Sequence, residues 1–320
     1  MDKSFSKKEL DMLDNNAAYS YKLGEDKSRI LGMDWFRGDS CNFIPSLVNL
    51  KEEDAINKYI LKGWTPVSPI IAASSYVTAF GSCFAQHIRK YLRDKTQRFV
   101  VKSKALPIIH FGEGINTTFA IRQQFDWAWN NCNFEESLWY SKTERVEPTE
   151  DNRIETRAIF DKTDVFILTL GLSEVWSNKV TKEVFWRGIP KEQFNPEIHE
   201  FRVSTVSENL ENLQHVVQTI KANNTTAKII FTLSPVPLVA TFRPVSCVTA
   251  NTVSKAILRV AVDELMRINY SDVYYWPAYE IIKEWQNGSP YEEDNRHIRQ
   301  EVVQVVLDKF SQSYIESKII

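Results

Sequence analysis

Residues 78–88 read TAFGSCFAQHI. A β-leaning run, SYVTAF at 75–80, ends in Gly81-Ser82-Cys83. FAQHIRKYLRDK follows at once, with Phe84, Ile88, Tyr91 and Leu92 at helical spacing. A strand that passes straight into a helix through a corner of small residues is the repeating unit of a parallel α/β sheet. The corner has two readings. In one, Ser82 caps the helix and nothing more. In the other, its hydroxyl projects from the sheet edge, and N–H groups of the first helical turn, that of Cys83 included, face a developing negative charge.

The rest of the chain repeats the unit. RFVVKS (98–103), DVFILTLG (164–171), KIIFTLSPVP (228–237) and DVYYWPAYEII (272–282) are further strand candidates, mostly apolar throughout. Helical patterns separate them. NTTFAIRQQFDWAW (116–129) carries an aromatic face. Thr205-Val-Ser-Glu208 is a capping box that opens a helix with Leu210, Leu213, Val217 and Ile220 on one side. Residues 253–268 turn Ile257, Val260, Ala261 and Leu265 inward, and a last helix runs from about 299 to 313. Apolar strands alternating with amphipathic helices predict a three-layer α/β/α sandwich around a mainly parallel, five-stranded sheet. Ligands of such sheets gather at the carboxyl ends of the strands, and Ser82 stands at one. Residues 1–70 are irregular, with Pro66 and Pro69 near their end. They read as an extension that wraps or covers a main domain at 71–320.

Composition narrows the function. The 320 residues are 43% hydrophobic and 25% charged, enough for a sizeable core. A net charge of −2 offers no basic surface for nucleic acid. The first residues are charged and lack an apolar core, and no window is apolar for the roughly 18 residues a membrane span needs. Cys41, Cys83, Cys132 and Cys247 form no C-x-x-C pair, so neither a zinc site nor a disulfide framework is expected. A cytoplasmic location fits. No two histidines have metal-ligand spacing with a third ligand, so no metal and no cofactor is expected.

Two more segments bear on chemistry. Gly38-Asp39-Ser40 spells the signature of a large esterase class. Gly32 and Asp34 interrupt the run before it and Pro45 the run after it, so an ordinary turn is the reading. Asp294 and His297 stand three apart just before the last helix. They read either as a solvated helix start, crowded by Glu292, Glu293, Arg296 and Arg299, or as a base and its orienting carboxylate. Of the five histidines (His87, His110, His199, His215, His297), only His297 combines a nearby carboxylate with a following helix.

FGSCFA at 80–85 resembles the naming motif of the GSCFA-domain family. LTLGLSEVW (168–176), FTLSPVPL (231–238), TANTVSKAILRVAVDEL (249–265, with a Ser-Lys pair) and VYYWPAYEI (273–281) resemble its later blocks, in order. The resemblance covers roughly residues 70–315. That family is similar to the SGNH/GDSL esterases and acyltransferases, whose fold is flavodoxin-like. The resemblance implies Ser82 as nucleophile, with Asp294 and His297 as acid and base. It implies a substrate that is an acylated, above all acetylated, carbohydrate or other small ester. A binding or assembly protein on the same scaffold is the alternative.

The sequence departs from the wider superfamily in its third block. Gly171-Leu172-Ser173-Glu174 lacks the asparagine that donates to the oxyanion. Ser173 or Asn116 is left to replace it, and the second-block glycine is Gly112 or Gly114. A thiolate at Cys83 is a rival nucleophile beside a helix N-terminus, against a buried, inert cysteine. Glu174 and Trp176 either line the substrate cleft or are, respectively, solvated and packed on the extension.

Overall fold

The computed structural model describes residues 19–23, 27–31, 42–72, 74–82, 84–96, 115–132, 149–185 and 188–316. The chain divides into two compact units: Met1–Ile60 with Gln286–Gly288, and Leu61–Trp285 with Ser289–Ile320. In the first, strands β1 (Tyr19–Leu23) and β2 (Lys27–Leu31) pair antiparallel, Tyr19 opposite Leu31. A 3₁₀ turn at Asn49–Lys51 and a π turn at Ile56–Ile60 follow.

The second unit holds the sheet. Strand β3 (Val77–Gly81) leads into helix α1 (Phe84–Thr96). Helices α2 (Thr118–Asn130) and α3 (Glu150–Lys162) precede β4 (Val165–Leu170). A short antiparallel ribbon, β5 (Glu174–Asn178) with β6 (His199–Val203), comes next. Then follow α4 (Val206–Asn223), β7 (Lys228–Leu233), α5 (Cys247–Arg267), β8 (Val273–Trp276), α6 (Ala278–Lys283) and α7 (Gln300–Tyr314). The sheet order is β3-β4-β7-β8, all parallel. The α/β architecture expected from the sequence is therefore present. Four described strands form the sheet where five are expected, and the candidate at 98–103 lies outside the described residues.

Every residue of β3 and β4 is buried, as a sheet covered on both faces requires. On one face Phe80, Phe166, Phe231 and Tyr275 join Phe125, Phe160, Leu213 and Leu258 from α2–α5 in one apolar cluster. Phe125 and Phe160 lie 4.9 Å apart at its centre. On the other face Trp276 meets Phe310 and Tyr314 of α7 edge-on, at 5.4 and 5.7 Å.

Local chemistry explains the differences from the expected elements. The apolar run at 272–282 splits into β8 and α6 because Pro277 cannot continue a ladder and stands as the N-cap of α6. Helix α3 is opened by a Thr149/Asn152 capping box and buries only Thr156 and Phe160, too few positions for an apolar stripe. Helix α5 starts at Cys247, where Ser246 accepts the Val248 N–H. The larger unit also takes in residues assigned to the extension. Trp64 packs edge-on to Tyr275 at 5.4 Å, and the Ile70 and Ile71 N–H groups donate to the Tyr314 carbonyl, both at 2.9 Å. No helix among the described residues is long and apolar enough to cross a membrane.

Candidate active site

The corner after β3 is built around Gly81. Its φ of +131° is a conformation that side chains resist, and a Cβ there would lie 2.2 Å from the Thr169 carbonyl oxygen. Only glycine lets β3 press this closely on β4. The chain then turns, the Ser82 N–H donates to the Thr169 carbonyl (3.0 Å), and the Ser82 carbonyl accepts the Ala85 N–H (2.9 Å). Ser82 Oγ accepts the Phe84 N–H at 3.3 Å. Ser82 thus caps α1 and, at 4% exposure, also lines a cleft of about 210 Å³.

That cleft lies where three parallel strands end. Ser82 follows β3, Gly171 follows β4 and Ser234 follows β7, and all three line it together with Asn116, Arg296 and His297. Gly171 sets the spacing between Ser82 and Asn116. A Cβ at Gly171 would stand 3.1 Å from the Asn116 Cβ and 3.4 Å from the Ser82 Cβ. The Asn116 carbonyl accepts from the N–H groups of Gly171 (2.8 Å) and Leu172 (3.0 Å). From below, Lys255 of α5, 1% exposed, donates its Nζ to the Gly171 carbonyl at 2.9 Å. The Ser-Lys pair noted in the sequence therefore holds the segment that follows β4. Its serine partner Ser254 accepts the Ser173 N–H at 2.9 Å.

Ser173 does not reach the cleft. It is fully buried, its hydroxyl meets Ser254 Oγ at 3.3 Å and its carbonyl accepts from the N–H and hydroxyl of Ser204, both at 2.8 Å. Its hydrogen bonds hold β5 and α5 together, and of Ser173 and Asn116 only Asn116 lines the cleft. Cys83, Gly112, Gly114, His110 and the Gly38-Asp39-Ser40 stretch lie outside the described residues.

Asp294 and His297 share one turn. Asp294 Oδ1 accepts the backbone N–H groups of His297 (2.9 Å) and Arg296 (3.0 Å), and its Oδ2 bonds His297 Nδ1. The His297 N–H, the His297 ring and the Arg296 N–H, in that order, hold the Asp294 carboxyl down at about 2. The turn is tied to the loop after β7: Tyr291 Oη donates to the Pro235 carbonyl (3.1 Å) and Arg296 Nε to the Pro237 carbonyl (3.3 Å). The side chain of His297 is 66% exposed. Among the described residues no hydrogen bond joins it to Ser82, although both line the cleft. His87, one turn into α1, is half-buried, and burial, then Lys90, then His297 push its imidazole below the ordinary histidine range. Elsewhere His215 bonds Asp126 at 2.6 Å and His199 Nδ1 accepts the Asn195 N–H at 3.0 Å.

Glu174 and Trp176 belong to an adjoining pocket of about 330 Å³. The Glu174 side chain is almost fully buried rather than solvated, and its Oε1 accepts the Thr241 hydroxyl at 3.0 Å. Trp176 packs against Phe201 and Phe242. Among the described residues no cluster of three or more His, Cys, Asp or Glu could hold a metal ion. Sequence reasoning missed the parts played by Ser234, Lys255 and Arg296; for Ser234 the signal was its place just past an apolar strand.

Three comparisons add to this geometry. The sequence model of the GSCFA family matches residues 76–310. Among solved structures, the chain is similar to a carbohydrate esterase family 3 from Talaromyces cellulolyticus, at 9% identity and a TM-score of 0.36, covering 74% of this chain and 95% of that one. It is also similar to a family two carbohydrate esterase from Clostridium thermocellum in complex with cellohexaose, at 14% identity and a TM-score of 0.32, covering 77% of this chain and 64% of that one. No curated protein matches the chain.

Proposed function

This chain belongs to the GSCFA family, and we propose that it is a serine-dependent ester hydrolase or O-acyltransferase acting on an acylated carbohydrate or a similar small ester. The observation that carries the reading is the meeting of Ser82 with His297, itself bonded to Asp294, in one cleft at the carboxyl ends of three parallel strands. In this mechanism Ser82 Oγ attacks the ester carbonyl and passes its proton to His297 Nε2. Asp294 keeps Nδ1–H oriented and stabilises the imidazolium. The Asn116 amide faces the oxyanion. The intermediate collapses, the C–O bond of the alcohol breaks, and the leaving oxygen takes the proton from His297. Water or a sugar hydroxyl then attacks the Ser82 ester, returns a proton through His297 to Ser82, and releases the acyl group. The family resemblance supplies the carbohydrate and the acetyl group as the first substrates to try.

Removing the nucleophile tests this directly. Ser82→Ala is expected to lower turnover of p-nitrophenyl acetate and acetylated sugars by at least about 10³-fold, and to abolish labelling by a fluorophosphonate. Equal rates in the two proteins would reject Ser82.

One observation favours a second reading, a glycan-binding or assembly protein on the same scaffold. The N–H groups of Ser82 and Gly171, both at the cleft, already serve Thr169 and Asn116. A stoichiometric fluorophosphonate adduct on Ser82 would exclude that reading.

A further inference from the structure

We infer that the pocket beside the Ser82 cleft is an acyl pocket, shaped for an apolar acyl group of butanoyl to octanoyl size rather than for acetyl alone. The inference rests on the esterase reading above and assigns the two halves of the ester to two parts of the site.

Position comes first. The pocket shares Asn116, Leu172, Pro237 and Arg296 with the cleft, but neither Ser82 nor His297 lines it. When the tetrahedral intermediate collapses, the leaving alcohol must take its proton from His297. The alcohol half therefore lies at His297. In this assignment the acyl half runs past Asn116 and Leu172, two of the four residues the cleft shares with the pocket.

Size and chemistry agree. A volume of about 330 Å³ is roughly ten times a water's share of liquid volume, far beyond what a methyl group fills. The walls are apolar and aromatic. Trp176, Phe201 and Phe242 meet pairwise at 5.1, 5.2 and 5.4 Å between ring centroids. Phe242 and Val239 stand 65% and 77% exposed at the pocket, large apolar surface left to solvent. Three of the polar side chains in the lining are engaged: Thr117 Oγ1 accepts the Ala120 N–H (3.1 Å), Glu174 accepts from Thr241, and Arg296 Nε donates to Pro237; Asn116 is shared with the Ser82 cleft. A sugar ring placed here would bury most of its hydroxyls against apolar and aromatic walls with few partners, which is unfavourable. An alkyl chain would not.

The test is a chain-length series. For p-nitrophenyl acetate, butanoate, hexanoate and octanoate, kcat/KM of the wild type is expected to rise about fourfold per buried methylene. From acetate to hexanoate, four methylenes, that compounds to a gain of roughly 250-fold. Two variants probe the walls. A Cβ at Gly188 would meet nothing within 4 Å, so Gly188→Phe projects a ring into the pocket without a clash at its base. Phe242→Ala removes an exposed wall. Both are expected to cut the hexanoate-to-acetate ratio of kcat/KM by about tenfold or more, each with a circular dichroism spectrum like the wild type's. If acetate is the best substrate while Ser82 still takes a stoichiometric fluorophosphonate label, the acyl pocket is overturned and the nucleophile stands. If Gly188→Phe lowers all four esters equally, the pocket holds the alcohol, and the proposal is again overturned. If Ser82 takes no label and no ester is turned over, the esterase reading falls, and the acyl pocket with it.

Discussion

The two halves of the candidate catalytic apparatus are built in opposite ways. Ser82 is held by the sheet: it is buried, its N–H continues the ladder onto Thr169, and its position depends on a glycine that no other residue can replace. Asp294 and His297 are held mainly by each other, on an exposed turn that closes on its own backbone and touches the sheet side through Tyr291 and Arg296. The proposed nucleophile is thus a property of the fold, whereas the proposed base is a property of one turn. Damage to the first should appear in stability, and damage to the second in rate.

Asp294→Asn presses hardest on the turn. The amide oxygen still accepts the two backbone N–H groups, but the charge that orients His297 is gone. A loss of about 10³–10⁴ in kcat is expected, with a melting temperature close to that of the wild type. A matching fall in both would mean that the turn carries the fold after all. The pH profile sharpens the point. The Asp294 carboxyl is depressed from 3.8 to about 2 in the folded protein. What its charge contributes is complete above about pH 4 and is lost only as pH falls through 2. A decline in rate between pH 7 and pH 4 is therefore expected to come from another group, and carboxyl NMR should show Asp294 still ionised at pH 4.

Gly81→Ala presses on the other half. A Cβ at 2.2 Å from a backbone oxygen, with φ at +131°, should cost about 2–4 kcal/mol through strain and displacement of β4. That corresponds to a fall in melting temperature of roughly 5–10 °C, read by denaturant unfolding or calorimetry. An unchanged midpoint would show that the corner relaxes freely, and the contrast between the halves would fail.

The smallest effect joins them. His87 lies on the serine's helix, and burial first, then Lys90, then His297 depress its pKa. In His297→Asn the His87 midpoint should rise, followed by NMR. No movement would place the two rings too far apart to interact.

Much of this was legible before any coordinates. Continuous apolar runs marked β4 and β7, a small-residue corner marked Ser82, and Asp-x-x-His marked the turn, because each is a local pattern. What stayed hidden depends on distant contacts. Asn116 and Ser173 are equal candidates as letters; only the place of Asn116 in the cleft lining and the buried Ser173–Ser254 pair separate them. The β5–β6 ribbon, which pairs Trp176 with Phe201, is held by a partner strand and not by its own periodicity. Lys255 reads as one more solvated charge on a helix until its contact with Gly171 is seen.

The Phe84 amide has a consequence for motion. By occupying a lone pair of Ser82 Oγ, it orients the hydroxyl with its proton turned elsewhere, and it limits the rotamers of a side chain that is otherwise free to spin. The entropy of fixing that rotor is settled when the chain folds. Any reagent arriving in the cleft meets an oxygen that has already stopped searching for its direction.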